Sequence, residues 1–211
     1  MREITHLIPG PVGNLELRVV LPEHWHVGLP FVVCCPPHPL HGGSLTNKVV
    51  HTLATSLFKL GLAVVRFNFR GVGQSQGQFA DAVGEQADLL AVVAWFARQH
   101  PAAVCWLAGF SFGAYVAYSA QCTAKAQVLM LVAPAVNFYD FAQVPCTPIP
   151  TLIIQGGQDE VVPSAQVKNW VNAQSNTISL IWLAEAGHFF HGKLPLLHDA
   201  ITNFAQEQLK A

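Results

Sequence analysis

The chain has 211 residues, 52% hydrophobic and only 11% charged, and its eleven basic and twelve acidic side chains leave a net charge of −1. Globular chains usually carry about 25% charged residues, so the apolar excess suits a sheet buried on both faces within one domain spanning 1–211. No basic run is present to neutralise phosphates, which argues against a nucleic-acid partner. No apolar window reaches the ~18 residues of a membrane span, and Met1-Arg2-Glu3-Ile4-Thr5-His6 lacks the apolar core of a secretory leader. The expectation is a cytoplasmic protein.

Five cysteines are present, with no C-x-x-C pair. Cys34, Cys35, Cys105 and Cys122 have apolar neighbours in predicted strands or a helix, so they are expected to be buried free thiols.

Residues 2–8 and 15–21 read as two strands, the second alternating Leu15, Leu17, Val19 and Leu21 with more polar positions. Residues 9–14, with two prolines and two glycines, supply the turn of an antiparallel hairpin. From residue 30 the pattern changes to short continuous apolar runs at 31–35, 62–69, 104–108, 128–133, 151–154 and 178–183. Helical stretches at 46–60, 84–99, 164–174 and 194–209 separate several of them, the first capped by Thr46 and stopped by Gly61. That alternation predicts a parallel sheet with helices on both faces. Only about 17 residues, several of them proline, separate Ala133 from Thr151, too few for a substantial lid.

The run Val104-Cys105-Trp106-Leu107-Ala108 leads into Gly109-Phe110-Ser111-Phe112-Gly113 and then a helix-compatible run from Ala114. This is G-x-S-x-G between a strand and a helix, the context in which a tight turn holds the serine hydroxyl clear of the sheet and in front of a helix N-terminus. The bland reading is a close-packed turn with a serine cap.

A serine nucleophile needs a base, and the base needs an orienting acid. Asp159 follows the run 151–155 and His188 follows 178–183, so each sits past the C-terminal end of a predicted parallel strand, the edge where ligands bind. Ser111, Asp159 and His188 therefore converge by topology. Glu160 and Asp140 compete for the acid's role, and His191 for the base's. One oxyanion donor would be the N–H of Phe112; the second should come from the loop after 31–35. Pro36, Pro37 and Pro39 have no N–H, which leaves Leu40 or His41, with Leu40 preferred.

Other patterns yield less. His38/His41 and His188/His191 both read H-x-x-H, but in predicted loops with no completing Cys or Asp cluster, so no metal is expected. The glycines of 71–77 miss the G-x-G-x-x-G spacing at Gln76, so no dinucleotide or other cofactor is expected. Arg70 is expected to be buried against Glu85 or Asp88.

Five stretches together resemble the α/β-hydrolase family, and within it the small, lid-less bacterial hydrolases of predicted esterase type related to dienelactone hydrolases. They are Pro37-His38-Pro39-Leu40-His41-Gly42-Gly43-Ser44, residues 66–75, Gly109-Phe110-Ser111-Phe112-Gly113, Gly156-Gly157-Gln158-Asp159 and Gly187-His188-Phe189-Phe190-His191. The resemblance spans essentially the whole chain. It implies an α/β-hydrolase fold with a mostly parallel eight-stranded sheet, one strand antiparallel, and no lid domain. It also implies a Ser111–Asp159–His188 triad with Phe112 and Leu40 as oxyanion donors. His38-Pro39 stands where many relatives have His-Gly.

The expected activity is that of a serine hydrolase acting on carboxylic esters of small or exposed acyl groups through an acyl-enzyme. Phe110, Phe138, Phe141, Phe189 and Phe190 are candidate apolar walls. Thioesterase or serine aminopeptidase activity would use the same triad, and a non-catalytic hydrolase-like binding protein is the alternative from another class. The expected partner is a small-molecule acyl substrate.

Overall fold

The computed structural model describes residues 3–145, 148–174 and 178–210. Eight strands form one sheet in the order β1-β2-β4-β3-β5-β6-β7-β8. The strands are β1 (Glu3–Gly10), β2 (Gly13–Val20), β3 (Phe31–Cys35), β4 (Ala63–Phe67), β5 (Cys105–Phe110), β6 (Val128–Val132), β7 (Thr151–Gly156) and β8 (Ile178–Leu183). Pairing from β4 through β8 is parallel, and β2 alone runs against the rest, antiparallel to both β1 and β4. The first hairpin is tighter than the sequence predicts, because pairing extends to Gly10 opposite Gly13 and leaves only Pro11 and Val12 in the turn.

Among the described residues the α-helices are α1 (Lys48–Lys59), α2 (Val83–Gln99), α3 (Phe112–Ala120), α4 (Ser164–Asn172) and α5 (Leu194–Gln208). Leu89 of α2, Ala114 and Val116 of α3 and Val167 of α4 share one core on one face of the sheet. Val49, Val50 and Leu53 of α1 meet Leu197, Ile201 and Phe204 of α5 in a second core on the other face. Central strands β3 to β7 are buried throughout, which is why their sequences read as continuous, mostly apolar runs rather than alternating ones.

The ends of the elements follow from local chemistry. Asn47, not Thr46, caps α1: its side chain accepts from the N–H groups of Val49 and Val50. Arg70 is buried against Asp88, which takes its Nε, one Nη and its backbone N–H. That bidentate pair ties the loop after β4 to α2. Cys34, Cys35 and Cys105 are buried free thiols, as expected, but Cys122 lies in the turn after α3 and is exposed. The turn carrying it buries Gln121 and Ala124 but leaves Cys122 and Thr123 facing outward. No helix among the described residues is long and apolar enough to cross a membrane.

Between β6 and β7 the described residues form a turn at 136–138 and a short 3-10 turn, Phe141–Gln143, with no inserted lid. Asp140 caps that turn by accepting from Ala142 and Gln143. With its carboxylate so engaged, Asp140 is separate from the acid site described next.

Candidate active site

The parallel topology brings the loops after β3, β5, β6, β7 and β8 to one edge of the sheet. At its centre, Ser111 joins β5 to α3 with φ 56° and ψ −114°, a conformation that costs a β-substituted residue roughly 1–3 kcal/mol. The flanking glycines make this turn possible. A Cβ on Gly109 would collide with the Gly113 carbonyl, and one on Gly113 with the carbonyls of Cys35 and Pro36. The turn is pinned to the sheet by the Ser111 N–H, which donates to Val132 O at 2.9 Å.

His188 is buried and spans the gap between the other two loops. Its Nε2 lies 3.1 Å from Ser111 Oγ, and its Nδ1 lies 2.9 Å from Asp159 Oδ2 and 3.1 Å from Oδ1. A carboxylate can only accept, so Nδ1 carries the imidazole proton and Nε2 presents its lone pair to the hydroxyl. The ring is held between Phe110, at 5.0 Å between centroids, and the edge of Phe189, at 5.1 Å.

The Asp159 side chain is out of contact with solvent. Burial alone would push its pKa up. The hydrogen bonds from His188, Val162 and Val161 outweigh that and hold it below the ordinary carboxylate value. The two valine N–H groups reach Oδ1 at 2.7 and 2.9 Å, and Gln155 Nε2 reaches Oδ2 at 3.0 Å.

Gln155 was not singled out in the sequence. Its signal was a polar residue closing an otherwise apolar strand, and a buried polar side chain always needs a reason. Glu160, weighed as a rival acid, does not touch the imidazole; its Oε2 accepts the backbone N–H of His188. His191 is exposed at the far side of Phe189 and is remote from the bonds His188 makes.

The loop after β3 forms a 3-10 turn at Pro39–His41. Its far end is anchored by a buried polar chain: Leu45 N–H donates to Asn68 Oδ1, Asn68 Nδ2 donates to Glu16 Oε2, and Arg66 donates to Leu45 O. The two amides expected to face an oxyanion differ in state. Phe112 N–H, at the N-terminus of α3, has no hydrogen-bond partner among the described residues. Leu40 N–H donates to Nδ1 of His38 at 3.2 Å, an engagement the sequence does not predict. The His38 ring stacks on His41 and lies against Phe79 and Phe112. Burial, and then the neighbouring His41, lower its pKa.

Of the five candidate wall residues, Phe110, Phe141 and Phe190 are core side chains, whereas Phe138 and Phe189 are exposed. The sequence cannot separate these because both sets lie in loops or at strand ends with apolar neighbours. Two clefts lie one neighbour away from Phe112, each lined by a residue whose ring touches it rather than by Phe112 or the triad. One, of about 400 Å³, lies between Leu40 and Phe79, and Phe79 touches Phe112. The other, of about 460 Å³, lies between Tyr139 and Trp170, and Tyr139 also touches Phe112. Among the described residues no group of three or more His, Cys, Asp or Glu is arranged to hold a metal ion.

Residues 38–145 match the family model described as serine aminopeptidase, S33. An α/β serine hydrolase without lid, XC6422 from Xanthomonas campestris, is 40% identical over 99% of this chain and 96% of its own, with a TM-score of 0.93. An α/β serine hydrolase homologue from Coxiella burnetii is 46% identical over 95% of this chain and 96% of its own, with a TM-score of 0.89. An uncharacterised protein of Rickettsia prowazekii is 36% identical over 92% of this chain and 85% of its own.

Proposed function

This chain belongs to the serine aminopeptidase S33 family of α/β hydrolases, and we propose that it cleaves carboxylic esters with Ser111 as nucleophile, His188 as general base and Asp159 as the acid that orients it. The observation that carries the reading is the unbroken hydrogen-bonded line from Ser111 Oγ through His188 to Asp159.

The chemistry follows from that line. Ser111 Oγ attacks the acyl carbon as its proton passes to His188 Nε2, and the Asp159 carboxylate stabilises the imidazolium so formed. The carbonyl oxygen becomes an oxyanion facing the N–H of Phe112, with Leu40 N–H as second donor; each such donor typically stabilises the transition state by about 3 kcal/mol. His188 then returns the proton to the leaving alcohol. Water, deprotonated by the same imidazole, attacks the acyl-enzyme and frees the acid. The lack of an inserted lid among the described residues favours small or exposed acyl groups.

The family description names a second reading, amide cleavage at a peptide N-terminus, which would use the same steps with an amine as leaving group. Rates with p-nitrophenyl acetate, an acetyl thioester and alanine p-nitroanilide, each compared with Ser111→Ala, separate them. The ester reading requires the ester to be the best of the three. A faster anilide would replace it with the aminopeptidase reading.

A further inference from the structure

β7 and β8 pair in parallel register as far as Gly156 opposite Leu183. The loops that leave them stay joined, because Gly157 N–H donates to Leu183 O and Gln158 N–H to Ala186 O, each at 2.9 Å. The next amide along is that of His188, and its acceptor is a side chain: Glu160 Oε2 at 3.1 Å. A Cβ on Gly187 would come within 2.8 Å of that same oxygen, so the absence of a side chain at 187 is what lets the carboxylate reach the backbone.

We propose that Glu160 is a positioning residue for His188, extending the β7–β8 ladder by one side-chain rung so that the imidazole hangs from a fixed backbone. The proposal rests on the serine-hydrolase reading above. Adjacent carboxylates then hold opposite ends of one histidine: Asp159 fixes the ring through Nδ1, and Glu160 fixes the main chain. The acceptor is a charged carboxylate on an exposed residue, and its 3.1 Å bond is slightly longer than the 2.9 Å backbone rungs before it. Beyond His188 the chain turns through Phe190, at φ 53°, and Gly192, at φ 69°, before α5. Among the described residues the amide of His188 therefore makes the last backbone tie to the β7 loop before that turn. A displacement of about 1 Å at a reacting group can cost ~100-fold in rate, so a loosened backbone at residue 188 matters even while the ring keeps its bond to Asp159.

The test uses the full chain with Glu160→Ala and Glu160→Gln, the latter keeping an acceptor oxygen without its charge. Rates of labelling at Ser111 by a fluorophosphonate and of p-nitrophenyl acetate hydrolysis are compared over pH 5–9, together with melting temperatures. The groups facing His188 are Asp159 and Ser111 at the ring, Glu160 at the amide, and His191 beyond Phe189. Glu160→Ala should lower kcat about tenfold with KM little changed. Glu160→Gln should restore most of the rate, with the pH midpoint of labelling where it is in the wild type. Wild-type labelling rates in Glu160→Ala would overturn the proposal, as would a Gln variant as slow as the Ala variant with a shifted midpoint. A lowered melting temperature with an unchanged rate would make the contact merely structural. Failure of the wild-type chain itself to label at Ser111 would instead sink the hydrolase reading on which this one stands.

Discussion

The backbone N–H of Leu40 donates to Nδ1 of its own loop's His38, 3.2 Å away. The amide assigned to receive an oxyanion is thus already ordered by a neutral acceptor, and an oxyanion, being charged, is the better acceptor of the two. His38 acts here as the cap of the 3-10 turn.

Removing that cap by His38→Ala should free the Leu40 amide to wander and lower kcat for p-nitrophenyl acetate by about tenfold, the loss typical of blunting one oxyanion donor only in part. His38→Asn, whose side-chain oxygen can accept from the residue two positions on, should recover most of it. An Ala variant as fast as the wild type would mean that Leu40 is not held by His38 in any way that matters to the reaction.

Gln155 is fully buried, and its Nε2 faces three acceptors: Asp159 Oδ2, Gly156 O and Val162 O. That environment fixes which way the amide points and leaves Oε1 buried with no partner among the described residues. Gln155→Glu keeps the shape but sets a second carboxyl against Asp159, and two such groups cannot both ionise cheaply. The new carboxyl's folded pKa is raised above its unfolded value of about 4.3, so the variant loses stability as pH rises through the interval between them. Thermal melts at pH 5 and pH 8 should find it more destabilised at pH 8, with ester hydrolysis strongly reduced. Equal destabilisation at both pH values would count against the contact.

The histidines set a second pH dependence. Burial, and then His41, lower the pKa of His38; burial and then Arg66 lower that of His51, with Glu3 opposing. Unfolding lets both return to about 6.5, so just below that value the unfolded chain binds more protons. The stability they contribute is present above about pH 6.5 and is lost as pH falls through their folded values. Asp159, held low, adds a further loss only below its ordinary carboxylate range, as pH falls through its own depressed value. Melting temperature should therefore decline as pH falls below about 6.5, and decline less in that first window in His38→Ala. A melting temperature that rises on acidification from pH 7 to 5 would contradict this.

What could be read from the sequence was what depends on near neighbours. β5, Ser111 and α3 follow each other in one stretch, and the two glycines beside the serine announce a turn whose geometry only they can tolerate. Asp159 and His188 were legible because each sits just past an apolar run, and a parallel sheet aligns such ends. Roles that depend on which atom meets which across loops were not legible. Nothing in Asp159-Glu160 says that one carboxylate faces the ring and its neighbour the amide of the same histidine. Phe138 and Phe141 look alike in sequence, yet one is exposed and the other lies in the core, because a 3-10 turn capped by Asp140 rotates them apart. Arg70 offered two acidic partners one helical turn apart, and packing chose Asp88.

Whether Ser111 is an activated nucleophile is measured most directly by incubating the protein with a fluorophosphonate and locating the modified residue by mass spectrometry, beside Ser111→Ala and His188→Ala. Modification at Ser111 in the wild type, absent in Ser111→Ala and sharply slowed in His188→Ala, is the expected result. No modification, or modification at another residue, would mean that the hydrogen-bonded line of Ser111, His188 and Asp159 is present without the chemistry assigned to it.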